Sequence, residues 1–283
     1  MLFKGFLVLF LGLVLPSSIA RAFPNPRVND EKDFSFAAGK NNGGKNNCND
    51  PQKSLTLDPK VVSKGFERDG RQGAPQGQVP SITSGNNFIN FCLTVNKPLT
   101  DGKQKKTGSC NTCPMGEIPS TTNMPSSKFT SPENFGTIKA GTTFTIKMKI
   151  QNLESGNFVN AQSNYYAAPQ QLNKAGNIRG HTHYVVQQIA SFTSTDPLDP
   201  NTFAFFKGAN NPADADGIIS VAVDKGLQEG FYRLASINTS ANHTPVLVPI
   251  AQHGFLDDMV YRDQRWQASR PISGWHPSRQ EQE

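Results

Sequence analysis

Features that would assign this chain to a known class of enzyme are missing. The sequence has no Gly-x-Ser-x-Gly elbow, no His-Glu-x-x-His motif and no convincing pair of a cysteine nucleophile with a histidine base. Long runs rich in Ala, Glu, Leu and Lys are absent as well, which excludes a mainly helical fold. The sequence therefore names no reaction, and its architecture has to come from turns and short apolar segments.

Long apolar stretches are also missing, with one exception at the start of the chain. Residues 6–15 (FLVLFLGLVL) follow the positive Lys4 and precede Ala-Arg-Ala at 20–22, the small-x-small form of a signal-peptidase site. At about ten residues the stretch is too short to span a bilayer. We predict a signal peptide over residues 1–22, cleaved after Ala22. The mature protein is then expected to be secreted, extracellular and without a membrane span.

The excess of positive charge is too small to predict a nucleic-acid partner. The formal net charge is +6, and loss of Lys4 and Arg21 with the signal peptide leaves +4. The densest basic run, residues 103–106 (KQKK), lies between two glycines in a polar stretch. A solvated loop explains this run better than an anion-binding patch. We expect no nucleic-acid partner.

Cysteine is scarce, and all four cysteines follow the signal peptide: Cys48, Cys92, Cys110 and Cys113. In an oxidising compartment an even count indicates two disulfides, for which three pairings are possible. We favour Cys92–Cys110, which would join a predicted strand to the loop after it, together with Cys48–Cys113. A redox role for the C-x-x-C at 110–113 is disfavoured, because a flanking glycine and proline place it in a loop.

Turn-forming residues divide the rest of the chain into short segments with strand patterns. The clearest strand is Thr143–Gln151, in which apolar side chains alternate with Lys147 and Lys149. Further strands are predicted at residues 87–95, 181–189, 218–223, 231–238, 246–251 and 259–261. Residues 196–212 are rich in Asp, Pro and Asn and are predicted to form a loop pinned by Phe203 and Phe205.

Such spacing predicts an all-β fold, an antiparallel β-sandwich or jelly-roll-like domain with long loops. The core is expected to include Phe144, Ile146, Met148, Ile150, Val221 and Leu234. We place this domain at residues 54–261. A polar low-complexity leader at 23–53 is expected before it, and a disordered tail at 262–283 after it.

Seven blocks of the sequence together resemble a family of secreted fungal proteins of unknown function, some of them mislabelled as a small-subunit ribosomal protein. The blocks are NNFINFC (86–92), TGSCN (107–111), NMPSSKF (123–129), NYYAAPQQLN (164–173), GHTHYVVQQI (180–189), YRLASINTSANHTP (232–245) and AQHGFLDD (251–258). The resemblance implies secretion and a compact extracellular domain, but no established activity. The chain departs from the family at Cys48 and Cys113, and at residues 262–265, where the family continues its last strand with apolar residues.

Only five histidines occur, yet two of them share one predicted strand. His181 and His183 form a His-x-His whose side chains lie on one face, with Cα atoms about 7 Å apart. Two imidazoles at that spacing can bind one transition metal ion, and His243 or His253 could supply a third ligand. The alternative is that all four are ordinary residues with hydrogen-bonded rings. A copper site built on a terminal histidine is excluded, because the mature chain would begin at Phe23.

Other polar motifs give weaker predictions. Asp257 and Asp258 would point to opposite faces of an extended segment, so they make a poor acid–base pair, and we predict no catalytic residue. Asn238-Thr-Ser and Asn242-His-Thr are N-glycosylation sequons, and at least one is expected to carry a glycan. A glycan on Asn242 would hinder a metal site that uses His243.

Three functions remain open. We favour a disulfide-stabilised extracellular protein without catalytic machinery, acting at a cell surface, wall or host interface, with cell-wall polysaccharide or an extracellular or host protein as partner. The second is a metal-dependent secreted enzyme that holds one transition metal ion at the His-x-His strand. The third is a carbohydrate-binding module in which Tyr165 and Tyr166 stack on sugars, although anchoring a loop is the simpler role for them.

Overall fold

The computed structural model describes residues 50–73 and 75–265, and its contacts divide the chain into two units after Thr56. The described part of the first unit contains one 3₁₀ helix, Pro51–Lys53. In the second unit, the strands are β1 Ser126–Ser131, β2 Thr137–Lys139, β3 Phe144–Gln151, β4 Leu153–Glu154, β5 Ile178–Ile189, β6 Phe205–Ala209, β7 Ile218–Val223, β8 Gly230–Ser240 and β9 Met259–Arg265. Its 3₁₀ helices are Pro59–Val61, Lys64–Glu67, Phe91–Thr94 and Thr121–Asn123.

Strand β3 shows how residue periodicity builds the smaller sheet. Its apolar residues from Ile146 to Ile150 are buried, whereas Lys147 and Lys149 are exposed, as alternation along a strand requires. The strand is central in an antiparallel sheet ordered β1-β3-β7. Phe129 of β1 and Ile219 of β7 both lie opposite Met148. One apolar row therefore crosses this sheet on its inner face.

The larger sheet is built around the two longest strands, β5 and β8. Its order is β2-β9-β8-β5-β4, and β6 pairs with β5 as well. The pairs β2–β9 and β4–β5 are parallel, and the other pairs are antiparallel. Along β5, Thr182, Tyr184 and Val186 point to the interior, because the core residues of both sheets lie on that side. His181 and His183 consequently lie on the outer face.

The core fills the space between the two sheets. The Tyr184 hydroxyl donates to the carbonyl of Ile219 at 3.1 Å, and the Tyr184 ring lies 5.5 Å from that of Phe129. The predicted core residues Ile146, Met148, Ile150, Val221 and Leu234 are buried, and Phe144 packs against them while half buried. The β-sandwich prediction is confirmed, with two parallel strand pairs added to an otherwise antiparallel arrangement.

The predicted strand at 87–95 is wrong. Asn87 and Phe88 have positive φ angles of 54° and 59°, which an extended strand does not allow, and the 3₁₀ helix Phe91–Thr94 follows. The predicted strand at 246–251 is also wrong. Leu247 donates to the side chain of Gln170 rather than to a neighbouring strand, and Pro249 has no N–H to offer to a ladder.

Two other boundaries differ from the prediction. The segment 196–212 is not loop throughout, because β6 begins within it at Phe205 and pairs with β5. The last strand runs to Arg265 rather than ending at Tyr261, so the start of the predicted tail is ordered β structure. Residues 266–283 lie outside the described residues, as do the signal peptide and nearly all of the polar leader.

One disulfide joins Cys92 to Cys110, as predicted, with Cα atoms 5.7 Å apart. Cys113 is half buried and has no disulfide partner within the described ranges. Its predicted partner, Cys48, lies outside them, so the second pairing stays a prediction. No helix in the described part of the chain combines the length and apolar character that a membrane crossing requires.

Candidate metal centre

The His-x-His pair lies where β5 runs beside β8 on the outer face of the larger sheet. His181 is opposite Thr239, and His183 is opposite Ile237. Gly180 immediately precedes the pair, and a Cβ atom there would collide with the Thr239 carbonyl. Glycine therefore lets the two backbones approach closely at the start of the site.

His243 reaches the same place from the turn that follows β8. Its N–H donates to the Ser240 carbonyl at 3.0 Å, and the Ser240 and Thr244 hydroxyls are hydrogen bonded to each other. The φ angle of His243 is 69°, in the left-handed region that few residues other than glycine adopt, although histidine does so more often than most. The turn thus accepts backbone strain at the residue whose ring it directs back onto β5.

The three rings form one compact cluster. His181 Nε2 lies 3.1 Å from His243 Nδ1, and one nitrogen from each of the three rings lies within 4.8 Å of the others. In a tetrahedral site with bonds of about 2.1 Å, two ligand nitrogens lie about 3.4 Å apart. The widest pair of the cluster must therefore close by up to about 1.4 Å for all three rings to bind one ion.

The second nitrogen of each ring is held by the backbone. His181 Nδ1 lies 3.2 Å from the Asn157 carbonyl, and His243 Nε2 lies 2.8 Å from the Val159 carbonyl. His183 is hydrogen bonded to the backbone of Ile237. A carbonyl only accepts, so each of these contacts places the proton on the outward nitrogen and leaves a lone pair pointing inward. Metal-binding histidines are commonly oriented in this way.

Electrostatics keep the two strand histidines neutral. Burial, followed by the neighbouring His183 and His243, lowers the pKa of His181 to about 3. Burial and then His243 lower the pKa of His183 to about 4. Neutral imidazole is the form that binds a metal ion, so protons compete weakly for these two rings at neutral pH.

Aromatic side chains cover the cluster. Phe158 lies edge-on to His181 with centroids 6.1 Å apart, and Phe206 stacks on His183 at 5.3 Å. Tyr165 stacks on His243 at 5.9 Å and on Tyr166 at 4.0 Å. Burial and contacts with Tyr166 raise the pKa of Tyr165. These rings explain why His181 is fully buried on the outer side of a sheet.

The tyrosine pair also fastens its own loop. Tyr165 N–H donates to the Gly102 carbonyl at 2.8 Å, and Tyr166 N–H donates to the Asn242 carbonyl at 2.9 Å. The two rings stack on each other, and Tyr165 also stacks on His243, so the pair does not form a flat exposed platform. This packing has the character of a loop anchor beside the histidines.

Other predicted site residues lie apart from this cluster. His253 is exposed, its Nδ1 is 2.7 Å from the Gly254 carbonyl, and it does not belong to the histidine group. Asp257 accepts hydrogen bonds from the Ser236 hydroxyl and the Asn238 N–H. Asp258 accepts from the Phe129 N–H and pairs with Lys128 at 3.1 Å. The Asp257 carboxylate therefore stabilises β8, and the Asp258 carboxylate stabilises β1.

The two sequon asparagines are buried. The Asn238 side-chain amide donates to the Ser127 hydroxyl and to the Leu256 carbonyl. That of Asn242 donates to the Asn164 carbonyl at 2.9 Å. A glycan would attach through these same nitrogens, so it would displace the hydrogen bonds. Glycosylation at either residue stays a prediction.

Sequence reasoning missed several parts of the site. The carbonyls of Asn157 and Val159 come from a loop between β4 and β5, and backbone acceptors leave no mark in a sequence. Phe206 was assigned to a loop, so its contact with His183 was not foreseen. Strand β6 is short and does not alternate apolar with polar residues, so its residues provide no clear indication of a strand among the surrounding prolines and asparagines.

Comparisons with known proteins show what this chain is similar to. Residues 127–264, which include every histidine of the cluster, match the family described as the CLU5d N-terminal domain. The chain is also 43% identical over 205 residues to "Pathogenicity cluster 5 protein d" of Colletotrichum graminicola (strain M1.001 / M2 / FGSC 10212). The alignment covers 72% of this chain but 42% of the relative, so the chain spans less than half the length of that protein.

Proposed function

We propose that this chain, whose residues 127–264 belong to the fungal CLU5d N-terminal domain family, is an exported protein that binds one transition metal ion through His181, His183 and His243. The N-terminal signal pattern and the Cys92–Cys110 disulfide support export, because disulfides persist in oxidising compartments. A relative named for a pathogenicity cluster supports a role at a host interface.

The observation that supports the metal proposal most strongly is that the His181 and His243 rings make more hydrogen-bond contacts than their protons can satisfy. The His181 and His243 rings make three close polar contacts, one with each backbone carbonyl and one with each other at 3.1 Å. The Thr239 hydroxyl lies further away, 3.3 Å from His181 Nε2 and 3.4 Å from its Nδ1, and it also donates to the His181 carbonyl. Each contact needs a proton, and two neutral imidazoles carry one proton each. Either tautomer of either ring leaves two acceptors facing each other.

A third proton or a metal ion would relieve this conflict. A third proton would make one ring a cation inside a cluster whose burial already lowers the pKa of His181 to about 3 and that of His183 to about 4. A metal ion instead accepts the inward lone pairs of all three rings and leaves every outward N–H bonded to its carbonyl. At neutral pH the metal is the better match.

The donor set favours Zn²⁺ or Cu²⁺. Imidazole nitrogen suits both ions, whereas Ca²⁺ and Mg²⁺ prefer oxygen ligands. No cysteine, aspartate or glutamate joins the three histidines in this group within the described residues. The geometry supports binding directly, and no acid–base residue in the cluster specifies a reaction.

The test is metal analysis of the exported full-length chain, purified without chelator. We expect about one equivalent of zinc or copper per chain, removed by a chelator and restored by the ion. His183→Ala and His243→Asn should lose it. Asparagine is chosen at 243 because it tolerates the positive φ there. N-terminal sequencing of the same material should begin near Phe23, as export requires.

His253→Ala is the matched control, since it removes an exposed histidine outside the cluster. This variant should retain the full equivalent of metal. A folded wild-type chain that binds neither ion above the level of its His243→Asn variant would refute the metal proposal. Recovery of an intact Met1 terminus would refute export independently.

A further inference from the structure

The inference rests on the proposed metal site. It concerns the ligand that a metal ion bound there could take from solution. Three histidines are the metal-capable side chains brought together here among the residues that the structure describes. His181 is fully buried, whereas His183 and His243 are half buried. Phe206 and Tyr165 therefore cover His183 and His243 only in part, and the free position of an ion held by all three rings would lie on the side of these two residues. Zinc sites with three protein ligands leave the fourth position to water or to another ligand.

The charge of the site selects what enters that position. Three neutral imidazoles leave the full double positive charge on a bound ion, because no carboxylate or thiolate belongs to the group. An anionic oxygen or nitrogen donor is therefore favoured over a neutral one. Neither of two clefts in the domain, of about 540 and 340 Å³, is lined by a residue of the cluster. We therefore place the ligand on the sheet surface beside the ion rather than in either of these clefts.

An apolar row crosses the sheet next to the open side. Phe206 of β6 is opposite Val185 of β5, which is opposite Ala235 of β8, which is opposite Met259 of β9. Directly opposed residues share a face, so the row lies on the same outer face as the next pair, His183 and Ile237. Phe206 and Ile237 remain 47% and 42% exposed. We take this exposed apolar row beside the metal site as the surface that an apolar group of a ligand would contact.

We propose that the metal site takes an anion with an apolar body, such as an aryl carboxylate. Its carboxylate occupies the open position, and its apolar group lies on Phe206, Ile237 and the neighbouring row. Phe206 sets the contact on one side because its ring stacks on His183 at 5.3 Å. The metal ion held by the three histidines attracts the carboxylate of the ligand. The apolar row favours ligands whose remaining part is apolar.

The experiment uses the full chain loaded with Co²⁺ or Cu²⁺, whose visible absorption reports a change of ligand. Acetate and benzoate are titrated separately. Both should change the spectrum in a saturable way, and benzoate should bind about tenfold more tightly, because burying about half of a benzene ring corresponds to roughly that factor. In Phe206→Ala, measured on chains that hold one equivalent of metal, the benzoate affinity should fall further than the acetate affinity, so that the tenfold preference for benzoate is lost.

Phe91→Ala is the control, since Phe91 is another exposed aromatic and lies in the 3₁₀ helix Phe91–Thr94. It should behave as the wild type. A metal-loaded chain whose spectrum neither anion alters would overturn the open position while leaving the metal proposal intact. Equal affinities for acetate and benzoate would overturn the role of the apolar row. A chain that binds no metal would contradict the proposed function itself.

Discussion

Acid should destabilise the metal-free domain through its two strand histidines. Both have a folded-state pKa below the value of about 6.5 expected in the unfolded chain, namely about 3 for His181 and about 4 for His183. The unfolded state therefore binds more protons between these values. The neutral, folded arrangement is at its full stability above about pH 6.5 and loses stability as the pH falls towards 4.

The size of the effect follows from the same values. Between pH 7 and pH 5 the unfolded chain protonates a histidine almost completely, whereas folded His181 stays neutral. With a folded pKa of about 3, this difference lowers the free energy of unfolding by about 2 kcal/mol for His181. His183 contributes in the same direction but less, because its ring is only half buried and solvent screens it.

Urea unfolding of the chelator-treated protein at the two pH values measures this loss. His181→Gln removes the titrating group, so its decrease between pH 7 and pH 5 should be about 2 kcal/mol smaller than that of the wild type. His253→Gln should show the wild-type decrease, because that histidine is exposed. Carboxylates elsewhere titrate alike in all three proteins and cancel in the comparison. Equal decreases in wild type and His181→Gln would refute the reasoning.

Three further predictions concern stability and covalent chemistry. Met148→Ala should lower the free energy of unfolding by about 2–5 kcal/mol in urea melts, because the side chain is fully buried in the row that joins the smaller sheet to the core; a change under 1 kcal/mol would contradict that packing. Peptide mapping should place any glycan on Asn242 rather than Asn238, whose amide makes two hydrogen bonds at 1% exposure; a fully glycosylated, folded Asn238 would show the structure wrong there. Mass spectrometry without reduction should recover a Cys48–Cys113 peptide, and alkylation of both thiols in the unreduced protein would exclude that bridge.

The sequence predicted the parts of the fold in which local periodicity and tertiary burial agree. Strand β3 alternates lysine with large apolar residues, so its two faces could be assigned at once. The failures came where side chains or backbone angles override composition. Residues 87–95 are apolar enough for a strand, but positive φ angles at Asn87 and Phe88 turn the chain. Residues 246–251 are similarly apolar, yet the Gln170 side chain holds them through Leu247.

The candidate site was predictable to a lesser depth. Alternation along one strand brings His181 and His183 to one face, and that needs no knowledge of the fold. Sequence spacing could not decide whether His243 or His253 is the third ligand, because both follow the strand pair in the sequence and both lie in loops. The structure separates them: the turn after β8 folds back over β5 and carries His243 with it, whereas His253 projects to solvent.

The three-histidine cluster is poorly suited to stabilising the fold. On the outer face of β5, Val or Thr would suit the strand and leave no unmatched nitrogen, whereas burying imidazoles there disfavours their charged forms and leaves acceptors facing each other. His243 adds a left-handed backbone angle that the turn could adopt more easily with Gly or Asn. Proteins tolerate such departures from local preference mainly at functional sites. Three histidine rings converge on one point, and each has its outward nitrogen hydrogen bonded to the backbone. A metal ion that binds their inward lone pairs explains this arrangement best.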